Sequence, residues 1–323
     1  MMTKDEFKHG LAEDVKNYLA MEEGIDVNVS FKQVEKLNEG ILEGIVITPV
    51  DSKVGCTFYI DKPYEAYQNG ENYSDIFRVA SHVVLDGIKD MPKVNTENLM
   101  DYETMKDRLT MQVVSTADNQ EKLSSIPHRE LEDMSIVYRF LLSSTEQGTQ
   151  TVLITNEMME KFGITEEQLH QDALISSPKI KPAEIKGMIE TLIESMGKEQ
   201  AELMGIEAGD DQMFVASVPD KVQGAGILAY EEFMEKAAER VGGNFYILPS
   251  SIHEVILVPE TSEVDLEALE GMVREVNATQ VSPEEKLTDN VYHYDTKEKI
   301  FETGQKYLDR TKDLEKEEPD VER

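Results

Sequence analysis

The sequence of 323 residues contains a single cysteine, no tryptophan and about half as many basic as acidic residues, 32 against 65. The lone thiol, Cys56, excludes an intramolecular disulfide and any zinc or iron–sulfur site built from several cysteines. No apolar run approaches the roughly 18 residues of a membrane span. The first residues also lack the basic and apolar stretches of a secretory signal. These absences predict a cytoplasmic protein without membrane contact.

The shortage of cations gives a formal net charge of −33. Binding to nucleic-acid phosphates or to an anionic membrane depends on lysine and arginine, so the charge predicts no direct nucleic-acid binding. It leaves open a cationic partner, a DNA mimic, or an exterior that is simply well solvated. Most acidic residues fall on the predicted solvent faces of helices, interleaved with lysine, which favours the solvated exterior.

The hydrophobic content of 40% is sufficient for a buried core. The order of predicted elements indicates an α+β fold of mostly antiparallel sheets flanked by helices, in two α/β lobes with a helical connector. We assign an N-terminal α+β lobe to residues 1–125 and a strand pair with the helical connector to residues 126–211. A C-terminal ββαββα lobe follows over residues 212–295, and a helix with a frayed acidic tail over residues 296–323.

Four local patterns make specific predictions. They are a capping box of Thr3 with Glu6 at the first helix, a helix over residues 97–114, a strand over residues 224–229, and a helix that begins at Ser282 and Pro283. The strand prediction decides how Gly224 and Gly226 are interpreted. Their segment, GAGILA, fits the dinucleotide fingerprint by letter. That fingerprint requires the glycines to follow a strand and open a helix, whereas here they precede an apolar strand-like run. We therefore reject a dinucleotide site and predict no cofactor.

A first candidate site lies between two predicted strands, at Ser250, Ser251, His253 and Glu254. The His-Glu pair does not complete a zinc-protease motif, because the second histidine of H-E-x-x-H is replaced by Leu257. The serines do not stand in the G-x-S-x-G frame of a nucleophile elbow. The segment is interpreted as a hairpin loop whose hydroxyls bond local backbone. A binding site remains the alternative, since histidine titrates near neutrality.

A second candidate site precedes a predicted strand, at His128, Arg129 and Asp133. These side chains could converge on a ligand, or they could form an ordinary surface ion-pair cluster. His170 and Asp172 stand two residues apart on a predicted helix and face different ways, so no metal site is expected there. Because loops concentrate function, both candidate segments are interpreted as loops that deserve testing.

Five segments carry a resemblance to a known family. They are residues 57–67 (TFYIDKPYEAY), 126–133, 155–169 (TNEMMEKFGITEEQL), 245–259 (FYILPSSIHEVILVP) and 276–294 (VNATQVSPEEKLTDNVYHY). The chain resembles the DUF5688 family of uncharacterised proteins in gut-associated Firmicutes, and more weakly the DUF1444 group through the ITEEQL segment. The resemblance implies a setting near bacterial mobile elements. The family has no established activity, so no catalytic residue is implied.

Three functional hypotheses follow. The favoured one is a non-catalytic binding or accessory protein of a bacterial mobile element, with a protein partner. The alternatives are a DNA-mimic inhibitor of a nucleic-acid enzyme, and a hydrolase-type enzyme that uses Ser251, His253 and Glu254 with His128. The lack of a complete catalytic constellation disfavours an enzyme without excluding one. Oligomeric state is not predicted.

Overall fold

The structure, a computed structural model, describes residues 1–52, 54–90, 101–145, 148–205, 211–261 and 264–317. It confirms the predicted α+β fold. The chain forms two compact units, Met1–Val94 and Asn95–Arg323. Within the described ranges, none of the helices combines the length and apolar character that crossing a bilayer requires.

The first unit packs helices against a three-stranded antiparallel sheet of order β1-β2-β3. Its elements are α1 (Lys4–Met21), β1 (Val27–Lys36), β2 (Gly40–Pro49), β3 (Cys56–Tyr59), α2 (Asp61–Gln68) and α3 (Tyr73–Lys89). Thr3 and Glu6 form the predicted capping box of α1. Apolar residues three or four apart on α1, such as Phe7 and Leu11, are fully buried because they share the face that meets the sheet.

The second unit contains two antiparallel sheets. Its elements are α4 (Tyr102–Met105), β4 (Leu109–Ser115), α5 (Gln120–Leu123), β5 (His128–Leu131), β6 (Met134–Thr145), β7 (Gly148–Leu153), α6 (Asn156–Phe162), α7 (Glu166–Ile180), β8 (Glu184–Gly187), α8 (Met188–Met196), α9 (Lys198–Leu203), β9 (Phe214–Ser217), α10 (Phe233–Val241), β10 (Phe245–Leu248), β11 (Val255–Pro259), α11 (Leu266–Thr279), β12 (Tyr292–Asp295), β13 (Ile300–Thr303) and α12 (Gly304–Glu317).

The long strand β6 organises the smaller sheet. β4 lies along one edge of β6, and β5 and β7 follow each other along the opposite edge. The larger sheet has the order β13-β12-β10-β11-β9-β8. One face of each sheet contributes to a shared core, where Tyr138 of β6 and Tyr292 of β12 are fully buried. On its other face, the larger sheet packs against α11 through residues such as Tyr246 and Leu269.

The predicted helix over residues 97–114 is confirmed only in part: residues 102–108 are helical, whereas residues 109–114 belong to a strand. After α4 and a short 3-10 helix over Lys106–Arg108, the chain enters β4, in which every residue is buried. Apolar and polar residues alternate from Leu109 to Val113, which is the period of a strand, and the helix prediction overlooked this pattern. Because β4 pairs along its length with β6, residues 101–125 lie in the second unit, although we assigned them to the N-terminal lobe.

The predicted strand over residues 224–229 is also wrong, because the segment is a buried 3-10 helix. A Cβ atom on Gly226 would overlap the carbonyl oxygen of Met111, and one on Gly224 would overlap that of His253. These glycines therefore allow neighbouring backbones to approach closely. No α-helix opens directly from them, since α10 begins only at Phe233.

The predicted helix at Ser282 is reduced to one turn. The Ser282 carbonyl accepts hydrogen bonds from the amides of Glu285 and Lys286, at 2.9 and 3.1 Å. The next residues pair instead with the segment around Ser251, through an isolated antiparallel bridge to Lys286. Pairing with a distant strand-like segment competes with the local capping signal and ends the turn.

Candidate functional site

His128 and Arg129 were predicted to lie in a loop, but the structure places them in the edge strand β5. Successive side chains of a strand point to opposite faces, so the two residues are directed apart. Arg129 forms an ion pair with Glu167 of α7, on the side of the shared core. His128 stands opposite Val137 on the other face, with Nδ1 3.1 Å from the carbonyl oxygen of Ile126. The structure therefore separates these two residues, for which convergence on a ligand was one interpretation and a surface ion-pair cluster the other.

Asp133 lies in the tight turn between β5 and β6, where Glu132 has a left-handed backbone (φ 58°). Its carboxylate accepts hydrogen bonds from the Thr288 hydroxyl and the side-chain NH₂ group of Asn290, both at 2.9 Å, and from the Tyr292 hydroxyl. A carboxylate that binds three donors is held in place, and it connects this turn to the start of β12 and the segment before it. Asp133 thus has a structural role in the described contacts.

The loop at Ser250, Ser251 and His253 connects β10 to β11. The Ser250 carbonyl accepts the amide of Leu287 at 3.1 Å, and the Ser251 hydroxyl accepts the amide of His253 at 3.0 Å. Hydroxyl-to-backbone bonding of this kind confirms the predicted hairpin-loop chemistry for Ser251. Glu254 is half-buried immediately before β11.

The two predicted segments approach the same stretch of chain. Asp133 binds the side chain of Thr288, whereas the carbonyl of Ser250 binds the amide of the preceding residue, Leu287. Of the seven predicted site residues, the structure brings Asp133 and the loop from Ser250 to Glu254 to one segment. It places His128 and Arg129 elsewhere, on opposite faces of β5.

The imidazole of His253 contacts a neighbouring loop, residues 219–223, and Glu285. Nδ1 lies 3.3 Å from the amide nitrogen of Gln223 and 3.1 Å from the carbonyl oxygen of Lys221. Nε2 lies 3.4 Å from a carboxylate oxygen of Glu285. The amide can only donate and the carbonyl can only accept, so Nδ1 finds a partner with or without a proton. His253 therefore contacts two backbone groups of the 219–223 loop.

The 219–223 loop has an unusual backbone. Lys221 and Gln223 both adopt left-handed conformations, with φ of 52° and 57°. Residues with a Cβ atom occupy this region at a cost, and persist there only when the surroundings impose it. Lys221 is exposed, whereas Gly224, which follows the loop, is buried. The loop is therefore exposed at Lys221 and held by the buried segment that begins at Gly224 and by His253.

An ion pair between a buried lysine and a partly exposed aspartate supplies the second anchor of this loop. The ammonium of Lys181, which is 8% exposed, lies 3.1 Å from the Asp220 carboxylate and donates to the Val222 carbonyl at 2.7 Å. Burial opposes ionisation of Asp220, but the Val222 amide and the Lys181 ammonium outweigh it and lower the pKa of this carboxyl. The Tyr230 hydroxyl binds the Lys181 carbonyl at 2.9 Å.

Sequence reasoning missed this anchor because Lys181 and Asp220 are separated by 39 positions. Lys181, which lies between Ile180 and Pro182, belongs to no sequence motif that would indicate a buried ion-pair partner. The loop borders a cleft of about 190 Å³, whose lining includes Ser217, Pro219, Lys221, Lys186 and Glu194. This volume accommodates a side chain or a small ligand rather than a large cofactor.

His170 and Asp172 face different partners, as expected. His170 lies 2.9 Å from the hydroxyl of Tyr138, and Asp172 accepts a hydrogen bond from Tyr102 at 2.7 Å. Among the residues that the structure describes, no three His, Cys, Asp or Glu side chains are grouped closely enough to hold a metal ion.

Residues 4–296 match the family of unknown function DUF5688. The chain belongs to the DUF5688 family. This confirms the resemblance found in the sequence, and the matched span of the DUF5688 protein contains every candidate residue. No curated protein and no solved structure matches the chain.

Proposed function

We propose that this DUF5688 protein is a non-catalytic binding protein that acts in the bacterial cytoplasm as an accessory of a mobile element, with a protein as its partner. The observation that carries the proposal is the 219–223 loop, which presents Lys221 to solvent in a left-handed backbone. Each such residue costs on the order of 1–3 kcal/mol. A loop that retains this conformation on the surface is suited to recognition, because little further ordering is required on binding.

The contacts of the loop support rigidity. His253 holds it from one side and the Lys181 ammonium from the other. Binding surfaces built on side chains that are locked by neighbouring hydrogen bonds retain their geometry better than free loops. The loop therefore resembles a preorganised recognition element more than a flexible connection.

The hydrolase alternative has less support from the same contacts. The Ser251 hydroxyl accepts the His253 backbone amide, while the imidazole nitrogens of His253 face the 219–223 loop and Glu285. A serine nucleophile needs the imidazole, not the backbone, of its base within hydrogen-bond reach. The described contacts thus favour a structural use of both residues.

The DNA-mimic alternative stays a prediction. Mimicry requires carboxylates that are free to stand in for phosphates, whereas many acidic residues here are ion-paired. Glu43 binds Lys4 and Lys8 in the first unit, and Arg310 binds Asp295 and Glu302 in the second. Such pairing supports the binding-protein proposal over mimicry.

The decisive experiment captures partners from a bacterial lysate on the immobilised full chain and compares Lys221→Glu with Lys198→Glu. Lys198 is also exposed, on α9, and has the same charge. We expect a reproducible protein partner whose recovery falls at least tenfold with K221E and is unchanged with K198E. Absence of a reproducible partner, or equal recovery with both variants, would contradict the proposal.

A second measurement addresses catalysis directly. The full chain is assayed with a chromogenic ester, alongside Ser251→Ala and His253→Ala. We expect no turnover above the uncatalysed rate. Turnover by the wild-type chain that S251A abolishes would favour the hydrolase alternative instead.

A further inference from the structure

The face of the smaller sheet that points away from the shared core carries several polar side chains beside the buried Val114 and Val137. Tyr138 and Phe140 of β6 enter the core, so strand alternation places Ser135 and Arg139 of β6 on this face. Thr110 and Gln112 of the paired strand β4 lie on it too. Thr110, Gln112 and Ser135 are each less than 5% exposed. A buried polar face of this kind requires partners for its polar groups.

Arg139 is the charged residue of this face, and its contacts are with neutral groups. Its Nε donates to the Thr151 hydroxyl at 2.8 Å, and Nη1 donates to the side-chain oxygen of Gln112 at 3.2 Å. No carboxylate lies within ion-pair distance of Arg139 among the described residues. Three of the five N–H groups of the guanidinium, including both on Nη2, have no partner in the same ranges.

The lack of a counter-ion is unexpected in a chain with 65 acidic residues. Other poorly exposed cations are paired, as Lys181 is with Asp220 and Arg310 with Asp295. Burial alone lowers the pKa of Arg139 to about 10, with no neighbouring charge acting in either direction. Arg139 is half-buried, so its remaining N–H groups are open to solvent and to a bound anion.

Gln112 extends the set of available donors. Its side-chain oxygen faces Arg139, because a guanidinium can only donate, so its NH₂ group is directed elsewhere on the face. That NH₂ group has no partner among the described residues. Gln112 and His128 both stand opposite Val137, on either side of it, so the predicted candidate His128 shares this face with Arg139.

We propose that Arg139, oriented by Thr151 and assisted by the amide of Gln112, binds a small oxyanion group, a carboxylate or a phosphate. A guanidinium presents parallel N–H groups that match the two oxygens of such a group, and the bond is charge-assisted. The bound anion supplies the counter-charge that the described protein groups do not. This site shares no residue with the 219–223 loop, so it can stand or fall independently of the proposed binding function.

The test observes the guanidinium directly. The chain contains eight arginines, so selective ¹⁵N labelling of arginine gives a simple Nε–H spectrum in which Arg139→Gln assigns one signal. The full-length protein is titrated separately with inorganic phosphate and with acetate, up to about 50 mM, well above a Kd of about 1 mM. Sodium chloride keeps the ionic strength constant, so that general screening does not contribute.

We expect the Arg139 signal to shift and saturate with at least one anion, and the anion that acts identifies the group as a carboxylate or a phosphate. In parallel calorimetric titrations, R139Q should weaken binding at least tenfold. Arg108→Gln should leave it unchanged, because Arg108 is exposed and donates to the Leu142 carbonyl. Gln112→Leu, with Arg139 intact, should weaken binding severalfold.

Absence of a saturating shift with both anions would overturn the proposal. So would equal affinity of R139Q and wild type. The titration of the wild-type signal does not depend on how well R139Q folds, so the proposal can be refuted even if that variant is unstable.

Discussion

Replacing Lys181 with methionine should detach the 219–223 loop from its buried anchor. Methionine keeps most of the apolar stem of lysine and its packing, while it removes the ammonium. The ammonium binds both oxygens of the Asp220 carboxylate, at 3.3 and 3.1 Å, and the Val222 carbonyl at 2.7 Å. The substitution therefore leaves one charged and one neutral acceptor without their donor.

The magnitude follows from burial. Removing one partner of a fully buried ion pair costs about 3–5 kcal/mol, because a charge is left uncompensated. Here the Lys181 side chain is 8% exposed but that of Asp220 is 33% exposed, so water can resolvate part of the carboxylate. We therefore expect a loss of about 2–3 kcal/mol in the free energy of unfolding of the second unit, below the fully buried case. Lys181→Met combined with Asp220→Asn should recover part of this loss.

Hydrogen exchange read by mass spectrometry after incubation in urea suits this test, because it reports each peptide separately. Optical probes would mix the two units, and the chain has no tryptophan. Peptides that cover residues 214–230 should exchange faster in native buffer in K181M and should unfold at lower urea. Lys179→Met, at an exposed lysine in the last turn of α7, should change stability by less than about 0.5 kcal/mol. Wild-type exchange and stability in K181M would refute the argument that this ion pair holds the loop.

Three further outcomes are expected. Gly226→Ala should destabilise the chain by about 2 kcal/mol or more, because the new Cβ overlaps neighbouring backbone. Gly271→Ala, in open space on α11, should stabilise it by up to about 1 kcal/mol. Urea denaturation compares the two variants, and equal effects would contradict the packing argument. Burial lowers the pKa of His293, so the unfolded chain binds a proton at this residue more tightly than the folded chain. The melting temperature should therefore be constant well above pH 6.5 and fall as the pH decreases through it. If His293→Gln left this dependence of melting temperature on pH unchanged, the assignment would be refuted. Asp133→Asn should cost about 0.5–1.5 kcal/mol, because the new amide donor faces existing donors while water still reaches the exposed side chain. Glu130→Gln, which is also exposed, should be near neutral in the same denaturation assay.

The hairpin loop at Ser251 was predictable because its chemistry is local. The hydroxyl binds an amide two residues away, a distance over which sequence and structure are closely linked. The separation of His128 from Arg129 was not predictable once the segment had been interpreted as a loop. Only pairing with β6 makes it a strand, and pairing then directs neighbouring side chains to opposite faces.

The sequence by itself determined the fold class, the capping of α1, the family and the acidic exterior, since each depends on composition or on residues a few positions apart. The tertiary structure alone decided that Lys181 meets Asp220 and that Arg139 meets no carboxylate. Both depend on which distant segments the sheets bring together. The sequence shows that a residue is charged but not whether it is paired. The free energy of that charge depends on the groups that folding places around it.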